Sequence, residues 1–384
     1  MEKIRILFVI SILLIMSLPI VRFNTRGTVS EKEKRTLVAR PHIFDESQIE
    51  KTQYNRKKLN KKFFSQFDSY FCDRFGGRNK LISLNKFLAY NVLGANIFNE
   101  KAIRGSNGWC FYTGTMANGG KHSKLSDYYK TNLMSENQLL SFKQNVAKAA
   151  EWCAENGIKT IFIICPNKHS VYPEKYPFQP RPSGITRSDQ MCAVFKELGV
   201  PYVFSRDEII SKKDAHDYPL YWETDTHWNP VGAYISFAQI LDLVQQAFPA
   251  VRFPHIEYET SVSYSMSSGD ILPILGIEKS RSTRPALKPK GHENKDFYTY
   301  LHYDFMSSMH TKATDTNLPR AVVFHDSFFG ALEPFVSPLF SECQYFFSQF
   351  REKDKAFLLE YKPDIVLFES IEWQAHSICG TLEL

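Results

Sequence analysis

Three side chains in two short segments are of the types that a serine nucleophile requires. Asp225 and His227 lie in the sequence Asp-Thr-His-Trp-Asn-Pro, and Ser327 follows the apolar run 321–324, about a hundred residues later. An imidazole that takes the hydroxyl proton makes a serine nucleophilic, and a neighbouring carboxylate orients that imidazole. Together the three side chains predict acyl transfer through a covalent acyl-serine.

Each segment alone also has an ordinary structural explanation. A serine at the start of a helix caps its N–H groups, and an Asp-x-His sequence can be a metal-ligand pair or a turn beside a surface histidine. A metal site is the weaker alternative because no further ligands cluster near the pair, and the nearest upstream histidine is His216. Pro230 begins a predicted helix, so His227 lies at a loop-to-helix junction from which an imidazole can reach a serine.

Composition is typical of a folded globular protein. The chain has 384 residues, of which 43% are hydrophobic and 23% charged, with a formal charge of +6. Lysine and arginine are dispersed except for a cluster at 51–62, and no basic stripe interleaved with aromatic residues indicates nucleic-acid binding. The seven cysteines include no C-x-x-C pair, which argues against a zinc site. We therefore expect neither a metal nor a cofactor.

The amino terminus predicts export. Lys3 and Arg5 precede an apolar run at 6–21, and no small-x-small cleavage signal follows it. We therefore favour an uncleaved signal anchor at 1–22 over a cleaved signal peptide. Residues 23–60 are predicted to be a polar tether between this anchor and a folded domain at 61–384.

The pattern of apolar residues beyond the tether predicts an α/β fold. Two helices separated by Gly76-Gly77 are expected within 63–98, and a hairpin at 103–112. Helices are then predicted at 136–156, 187–198 and 230–248 and ending at 357–361, with strands at 160–165, 201–204, 321–324 and 364–368. Such alternation favours a parallel sheet covered by helices on both faces, with the site at the carboxyl ends of the strands. Residues 251–318 are predicted to be an irregular insertion near the rim of the site.

Six segments resemble, in order, the SGNH-hydrolase-like proteins that acetylate bacterial exopolysaccharides, typified by the alginate O-acetylation proteins. The resemblance spans about residues 60–375, and the Asp-x-His block precedes the serine block, which reverses the order of ordinary SGNH hydrolases. His325 stands where those hydrolases have a glycine, and we expect its imidazole to have a structural role. The six segments are 103–112 (ending Gly-Trp-Cys-Phe-Tyr), 166–173 (Pro-Asn-Lys-His-Ser-Val-Tyr-Pro), 225–228 (Asp-Thr-His-Trp), 268–272 (Ser-Gly-Asp-Ile-Leu), 325–328 (His-Asp-Ser-Phe) and 362–369 (Lys-Pro-Asp-Ile-Val-Leu-Phe-Glu).

The resemblance implies a three-layer SGNH-like sheet with permuted motif order and an O-acetyltransferase anchored to the inner membrane on its periplasmic or extracytoplasmic side. Ser327 would be the nucleophile, His227 the base and Asp225 the orienting carboxylate. The N–H of Ser327 and a side chain of the 166–169 loop are expected to bind the oxyanion. The acceptor would be a polysaccharide, and a membrane-bound O-acyltransferase would deliver the acetyl group. The alternatives are a carbohydrate acetylesterase and a catalytically idle glycan-binding protein. Substrate contacts are expected from Asn167, Lys168, Tyr172 and Trp228.

Overall fold

The computed structural model describes residues 17, 23–25, 27–30, 35–44, 59–93, 101–114, 126–177 and 183–380. The predicted signal anchor, apart from residue 17, and half of the predicted tether lie outside these residues. Within the described residues, no helix is both long enough and apolar enough to cross a membrane. The chain forms two compact units, Met1–Val92 and Leu93–Leu384.

The first unit contains the two helices predicted on either side of Gly76-Gly77. Helix α1 (Phe63–Arg74) and helix α2 (Arg78–Phe87) are separated by a turn in which Gly77 has a φ of 78°. That left-handed conformation favours glycine, which explains the break between the two apolar patterns. A small antiparallel pair, β1 (Val29–Ser30) and β2 (Arg35–Thr36), precedes them.

The second unit follows the predicted alternation of helix and strand. Its helices are α3 (Ser126–Tyr129), α4 (Glu136–Glu155), α5 (Lys168–Val171), α6 (Arg187–Leu198), α7 (Arg206–Lys212), α8 (Pro230–Ala247), α9 (Leu272–Leu275), α10 (Glu333–Val336) and α11 (Asp354–Tyr361). Its strands are β3 (Ala102–Arg104), β4 (Cys110–Tyr112), β5 (Lys159–Cys165), β6 (Tyr202–Phe204), β7 (Tyr258–Ser267), β8 (Ser280–Pro289), β9 (Tyr298–Asp304), β10 (Ser308–Ala313), β11 (Ala321–Phe324), β12 (Glu342–Phe346) and β13 (Ile365–Ile371). Strands β3 and β4 form the predicted hairpin, and β13 extends three residues beyond its predicted end.

A mixed seven-stranded sheet forms the centre of this unit, in the order β6-β5-β13-β11-β12-β10-β9. The first five strands are parallel, and β10 and β9 join antiparallel at one edge. Because the five parallel strands point the same way, their carboxyl ends lie along one edge of the sheet. The predicted α/β architecture with a mostly parallel sheet is confirmed.

Alternating side chains of the parallel strands form two separate hydrophobic layers. Ile163 and Val323 point towards one face and pack in a cluster with α8, whereas Phe162 and Phe324 point to the other face and pack with α4 and α6. Helices therefore cover both faces, and the central strands β11 and β13 are buried along their length.

The structure corrects the expectation of an irregular insertion at 251–318. This region contains four strands: β7 and β8 form a ten-residue antiparallel ribbon, and β9 and β10 extend the central sheet. The prediction missed β7 although serine alternates there with Val262, Tyr264 and Met266, the period of two that is typical of a strand. All three apolar side chains are exposed, so this ribbon does not have the half-buried face that such alternation usually marks.

Candidate active site

Ser327 lies at the carboxyl end of β11, where the chain enters a short 3-10 turn, Ser327–Ala331. Asp326 fixes this turn: its Oδ1 accepts a hydrogen bond from the N–H of Phe328 at 2.9 Å, and its Oδ2 accepts one from the N–H of Ile371 at 2.7 Å. Ile371 ends β13, the neighbouring parallel strand. Asp326 therefore both caps the turn and ties it to the sheet, which holds the half-buried Ser327 at the sheet edge.

The loop that carries His227 ends at the start of α8. Asn229 caps this helix by accepting hydrogen bonds from the N–H groups of Val231 and Gly232 at 3.0 and 3.1 Å, and Pro230 occupies its first position. A Cβ on Gly232 would lie 2.2 Å from the carbonyl oxygen of Leu220, so only glycine allows the helix to approach this loop. The helix start thus fixes where the histidine stands.

The three predicted side chains meet in one hydrogen-bonded chain. His227 Nε2 lies 2.8 Å from Ser327 Oγ, and His227 Nδ1 lies 2.6 Å from Asp225 Oδ1. These contacts let Nδ1 keep its proton towards the carboxylate while Nε2 accepts the proton of the hydroxyl. The geometry suits a serine nucleophile with His227 as its base.

Charge and burial act in opposite directions on both titratable groups. Burial lowers the pKa of His227, but the hydrogen bond to Asp225 and the charge of that carboxylate raise it more, so the net pKa lies above the ordinary histidine value. Burial raises the pKa of Asp225, yet the hydrogen bonds and charge of His227 bring it below the ordinary aspartate value. The pair therefore favours an ionised carboxylate beside the imidazole.

Asp270 supplies a second carboxylate that the sequence analysis did not assign to the site. Its Oδ1 accepts a hydrogen bond from the N–H of Thr226 at 2.7 Å, and its own N–H donates to Asp225 Oδ2 at 3.1 Å. Burial and the nearby charge of Asp225 raise the pKa of Asp270. The Ser-Gly-Asp segment at 268–270 was visible as a resemblance, but only the folded loop shows what its aspartate contacts.

Asp225, His227 and Asp270 also form a group with one possible metal-ligand atom from each residue within 4.8 Å of the others. The structure thus adds a third potential ligand that was not apparent in the sequence. The same atoms already bond to one another and to backbone N–H groups. This hydrogen bonding accounts for the cluster without a metal ion.

Lys168 was predicted to contact the substrate, but its side chain is directed into the protein. It is buried, and its Nζ donates to the carbonyl oxygens of Cys110, Trp222, Glu223 and Asp225 at 2.7, 2.7, 2.8 and 3.0 Å. The Nζ also lies 4.9 Å from the centre of the Trp109 ring. Burial lowers the pKa of Lys168 to about 8. Its ammonium therefore holds the loop that leads into His227 rather than facing a substrate.

Asn167 and Tyr172 are likewise buried and do not line the cavity that opens beside Ser327, in contrast to their predicted substrate contacts. The Asn167 N–H donates to Glu372 Oε2 at 2.8 Å and its side-chain amide donates to Asp127 Oδ2 at 3.4 Å, whereas the Tyr172 hydroxyl accepts from the N–H of Leu220. The side chains of Asn167 and Lys168 bond to other residues. Neither side chain is therefore the oxyanion donor that was expected from the 166–169 loop.

Trp228 and His325 form hydrogen bonds with the backbone carbonyl groups of the two residues that flank Ser327. The indole of Trp228 is fully buried and donates to the carbonyl oxygen of Phe328 at 2.9 Å, so it supports the serine turn. The Nδ1 of His325 donates to the carbonyl oxygen of Asp326 at 2.8 Å, and burial lowers the pKa of this imidazole to about 4. His325 packs among aromatic rings, which agrees with the expected structural role.

A cavity of about 470 Å³ opens beside Ser327 and His227. Trp228 forms part of its lining, and so do Trp222, Tyr303 and Glu333, none of which was predicted as a site residue. Tyr303 and Glu333 belong to the edge strand β9 and the helix α10, and their position depends on a topology that single-segment patterns do not reveal. The cavity gives Ser327 access to a substrate.

The fold and the site define a class of SGNH-like proteins with a serine at the sheet edge, and comparison with known proteins identifies the family. The profile of the SGNH hydrolase-like domain of the acetyltransferase AlgX matches residues 102–300, more than half of the 384-residue chain. The chain belongs to this family of SGNH hydrolase-like acetyltransferase domains. The match includes Asp225, His227 and Asp270 and ends before Ser327.

Two solved structures with TM-scores of 0.50 or more support the same fold. PatB1 of Bacillus cereus with a sulfonyl adduct has a TM-score of 0.54 at 14% identity, covering 74% of this chain and 98% of PatB1. A DHHW family protein from Eubacterium siraeum DSM 15702 has a TM-score of 0.50 at 13% identity, covering 74% of this chain and 94% of its own. The O-acetyltransferase domain of Pseudomonas putida AlgJ has a TM-score of 0.45 at 15% identity, and the match covers 72% of this chain and 93% of the AlgJ chain. A search of curated proteins finds no significant match.

Proposed function

We propose that this protein is an O-acetyltransferase that carries an acetyl group on Ser327 and transfers it to a hydroxyl of a polysaccharide. The observation that carries the proposal is the continuous hydrogen-bonded chain from Ser327 through His227 to Asp225 at the edge of a cavity. Membership of the SGNH hydrolase-like acetyltransferase family supports acetyl transfer as the reaction.

The site suggests a two-step reaction. In the first step Ser327 Oγ attacks the carbonyl carbon of an acetyl donor, His227 Nε2 takes the hydroxyl proton, and the leaving group departs with that proton. In the second step His227 removes the proton of a sugar hydroxyl, the hydroxyl oxygen attacks the acetyl-serine, and the proton returns to Ser327. Asp225 stabilises the imidazolium that forms in each step.

The proposal includes a location and a partner. The apolar run at 6–21 after Lys3 and Arg5 supports an exported protein held at the inner membrane by its amino terminus, with the site on the periplasmic or extracytoplasmic side. A membrane-bound O-acyltransferase would deliver the acetyl group to Ser327. A cell that lacks this partner should accumulate the protein without acetylating the polysaccharide.

Mass spectrometry of the proteolytic peptides, after incubation of the protein with 4-nitrophenyl acetate, tests the mechanism. We expect an acetyl adduct on the peptide that contains Ser327, no adduct there in Ser327→Ala, and a strongly reduced adduct in His227→Ala. Ser263→Ala is the matched control because Ser263 is exposed on β7, outside the cavity lining. Full acetyl transfer by Ser327→Ala would contradict the mechanism.

An added acceptor separates the proposal from its alternatives. A transferase should form acetylated oligosaccharide at the expense of free acetate. Release of acetate that is unaffected by any acceptor indicates an esterase. Tight binding of an oligosaccharide with no adduct on Ser327 indicates a glycan-binding protein without catalysis.

A further inference from the structure

The cavity beside Ser327 has more acidic than basic side chains in its lining. Its charged lining residues are Asp225, His227 and Glu333, and neither lysine nor arginine lines it within the described part of the chain. Glu333 is buried and accepts hydrogen bonds from the hydroxyls of Tyr300 and Ser337 at 2.8 and 2.6 Å. Asp270 adds a further carboxylate next to His227. A carboxylated or phosphorylated sugar would meet the carboxyl groups of Asp225 and Glu333 there, and the only base in the described lining is the imidazole of His227.

Arg284 contacts Trp222, one of the side chains that line the cavity. Its guanidinium lies 4.0 Å from the centre of the Trp222 ring, and its Nη1 also lies 3.4 Å from Ser267 Oγ. The guanidinium stacks on the indole instead of lining the cavity. Trp222 therefore presents an aromatic surface to the cavity.

A pair of exposed tyrosines continues from the cavity along β9. Tyr303 lines the cavity and is 61% exposed, and its ring centre lies 4.9 Å from that of Tyr300, which is 43% exposed. Strand β9 is the edge of the sheet and pairs only with β10 among the described strands. The two rings thus form a surface that leads outwards from Ser327.

A bulge in β9 is the reason that these two rings share one side. The ladder pairs His310 with His302 but Thr311 with Tyr300, which leaves Leu301 as an extra residue. In a regular strand, residues three apart point to opposite faces. The extra residue reverses that alternation, as β-bulges near functional sites commonly do. The bulge therefore brings Tyr300 to the side of Tyr303 and next to Glu333.

We propose that the cavity and the tyrosine pair bind an acceptor glycan built of neutral sugars, and this inference rests on the proposed acetyl transfer. The apolar face of a sugar ring stacks on Tyr303, the next ring lies over Tyr300, and one hydroxyl lies near Ser327 and His227. Carboxylates accept hydrogen bonds from sugar hydroxyls, and tyrosine hydroxyls both donate to and accept from them. Neither interaction requires charge on the sugar. A uronate chain finds neither lysine nor arginine in the described lining, and the carboxylate of Asp225 disfavours its negative charge.

Competition between neutral and acidic acceptors of equal length tests the inference. The full chain is incubated with 4-nitrophenyl acetate and with hexamers of β-1,4-glucose, β-1,4-mannose, α-1,6-glucose, mannuronate or galacturonate, and acetylated hexamers are counted by mass spectrometry. We expect at least one neutral hexamer to be acetylated at least tenfold faster than either uronate hexamer. Equal or faster acetylation of a uronate, or acetylation of no neutral hexamer, would overturn the inference.

The acetyl adduct separates this inference from the proposed function. An adduct on Ser327 together with the wrong acceptor preference refutes the neutral-glycan site and leaves acetyl transfer standing. The lack of any adduct on Ser327 refutes the mechanism itself and the inference with it.

Tyr303→Ala tests the stacking surface. We expect the KM for the preferred neutral hexamer to rise at least tenfold and the ratio of transfer to hydrolysis to fall, with Tyr303→Phe retaining most transfer because the ring remains. Tyr264→Ala is the matched control, since Tyr264 is 62% exposed on β7 and outside the cavity lining. An unchanged acceptor KM in Tyr303→Ala, or an equal rise in Tyr264→Ala, would contradict the assignment.

Discussion

The N–H of Asp270 donates to Asp225 Oδ2 at 3.1 Å while Asp270 Oδ1 accepts from the N–H of Thr226 at 2.7 Å. The 225–227 and 268–270 segments are thus cross-linked by a reciprocal pair of hydrogen bonds. Oδ1 of Asp225 remains directed at His227 Nδ1. The loop at 268–270 therefore fixes the carboxylate that orients the imidazole, and Asp270 acts as a positioning residue.

Asp270→Ala is expected to reduce acetyl transfer about tenfold, which corresponds to about 1.4 kcal/mol of transition-state stabilisation. The substitution removes the acceptor for the N–H of Thr226 and loosens the turn between Asp225 and His227. Asp270→Asn keeps an oxygen acceptor and should retain more activity. Steady-state kinetics with 4-nitrophenyl acetate measure the effect.

Asp315→Ala is the control for Asp270→Ala, because Asp315 is exposed and does not line the cavity. A purely structural role of Asp270 would lower the thermal midpoint and leave kcat of the folded fraction unchanged. That outcome, or equal loss in Asp270→Ala and Asp270→Asn, would contradict positioning of Asp225.

Gly269→Ala should destabilise the protein much more than Gly291→Ala. Both glycines have positive φ, 56° and 72°, so both substitutions carry the cost of the left-handed conformation, about 1–2 kcal/mol. A Cβ on Gly269 would also lie 2.2 Å from the carbonyl oxygen of Thr224, whereas nothing lies within 4 Å of one on Gly291. Urea unfolding gives both free energies, and equal losses would show that the loop moves to admit the methyl group.

The sequence allowed prediction of elements whose patterns are local. Buried strands such as β5 and β11 are continuous apolar runs, and α8 starts at a proline after a capping asparagine. The triad-like residues were found because their types are rare in combination and their order resembles one family. Each of these signals lies within one short segment or in the order of two.

The features of the fold and the site that were not predicted depend on contacts between segments far apart in the chain. Lys168 was expected to contact the substrate because the 166–173 segment resembles the family's loop, yet its Nζ is enclosed by carbonyl groups of β4 and of the 222–225 loop, 54 to 58 residues away. Tyr303 became a cavity residue only through the placement of β9 at the sheet edge, and a bulge in that strand brings Tyr300 to its side. Neither relationship leaves a periodic trace in the sequence.

The rate of acetyl-enzyme formation should fall as the pH drops below the pKa of His227, because only the neutral imidazole accepts the proton of Ser327. Asp225 holds that pKa above the ordinary histidine value, so the acidic limb of kcat/KM is expected above about pH 6.5. Asp225→Asn removes the charge that raises the pKa. The limb should then move to lower pH while the plateau rate falls by roughly 10²–10⁴-fold.

A pH–rate profile of both proteins with 4-nitrophenyl acetate provides the measurement. Ser263→Ala serves as the control and should keep the wild-type limb. A limb that moves to higher pH in Asp225→Asn, or that does not move, would mean that another group governs the titration.

Lys168→Met is expected to lower the free energy of unfolding by about 2–4 kcal/mol, because four carbonyl oxygens, one in a buried and three in partly buried hydrogen bonds, lose their common donor. Three of these carbonyls belong to Trp222, Glu223 and Asp225, so the loop before His227 should also shift and kcat should fall. A substrate-binding role predicts the opposite pattern, a higher acceptor KM with unchanged stability. Lys148→Met, at an exposed position of α4, should change stability by less than about 0.5 kcal/mol. Urea unfolding and kinetics on the same two variants therefore decide whether Lys168 positions the loop or contacts the substrate.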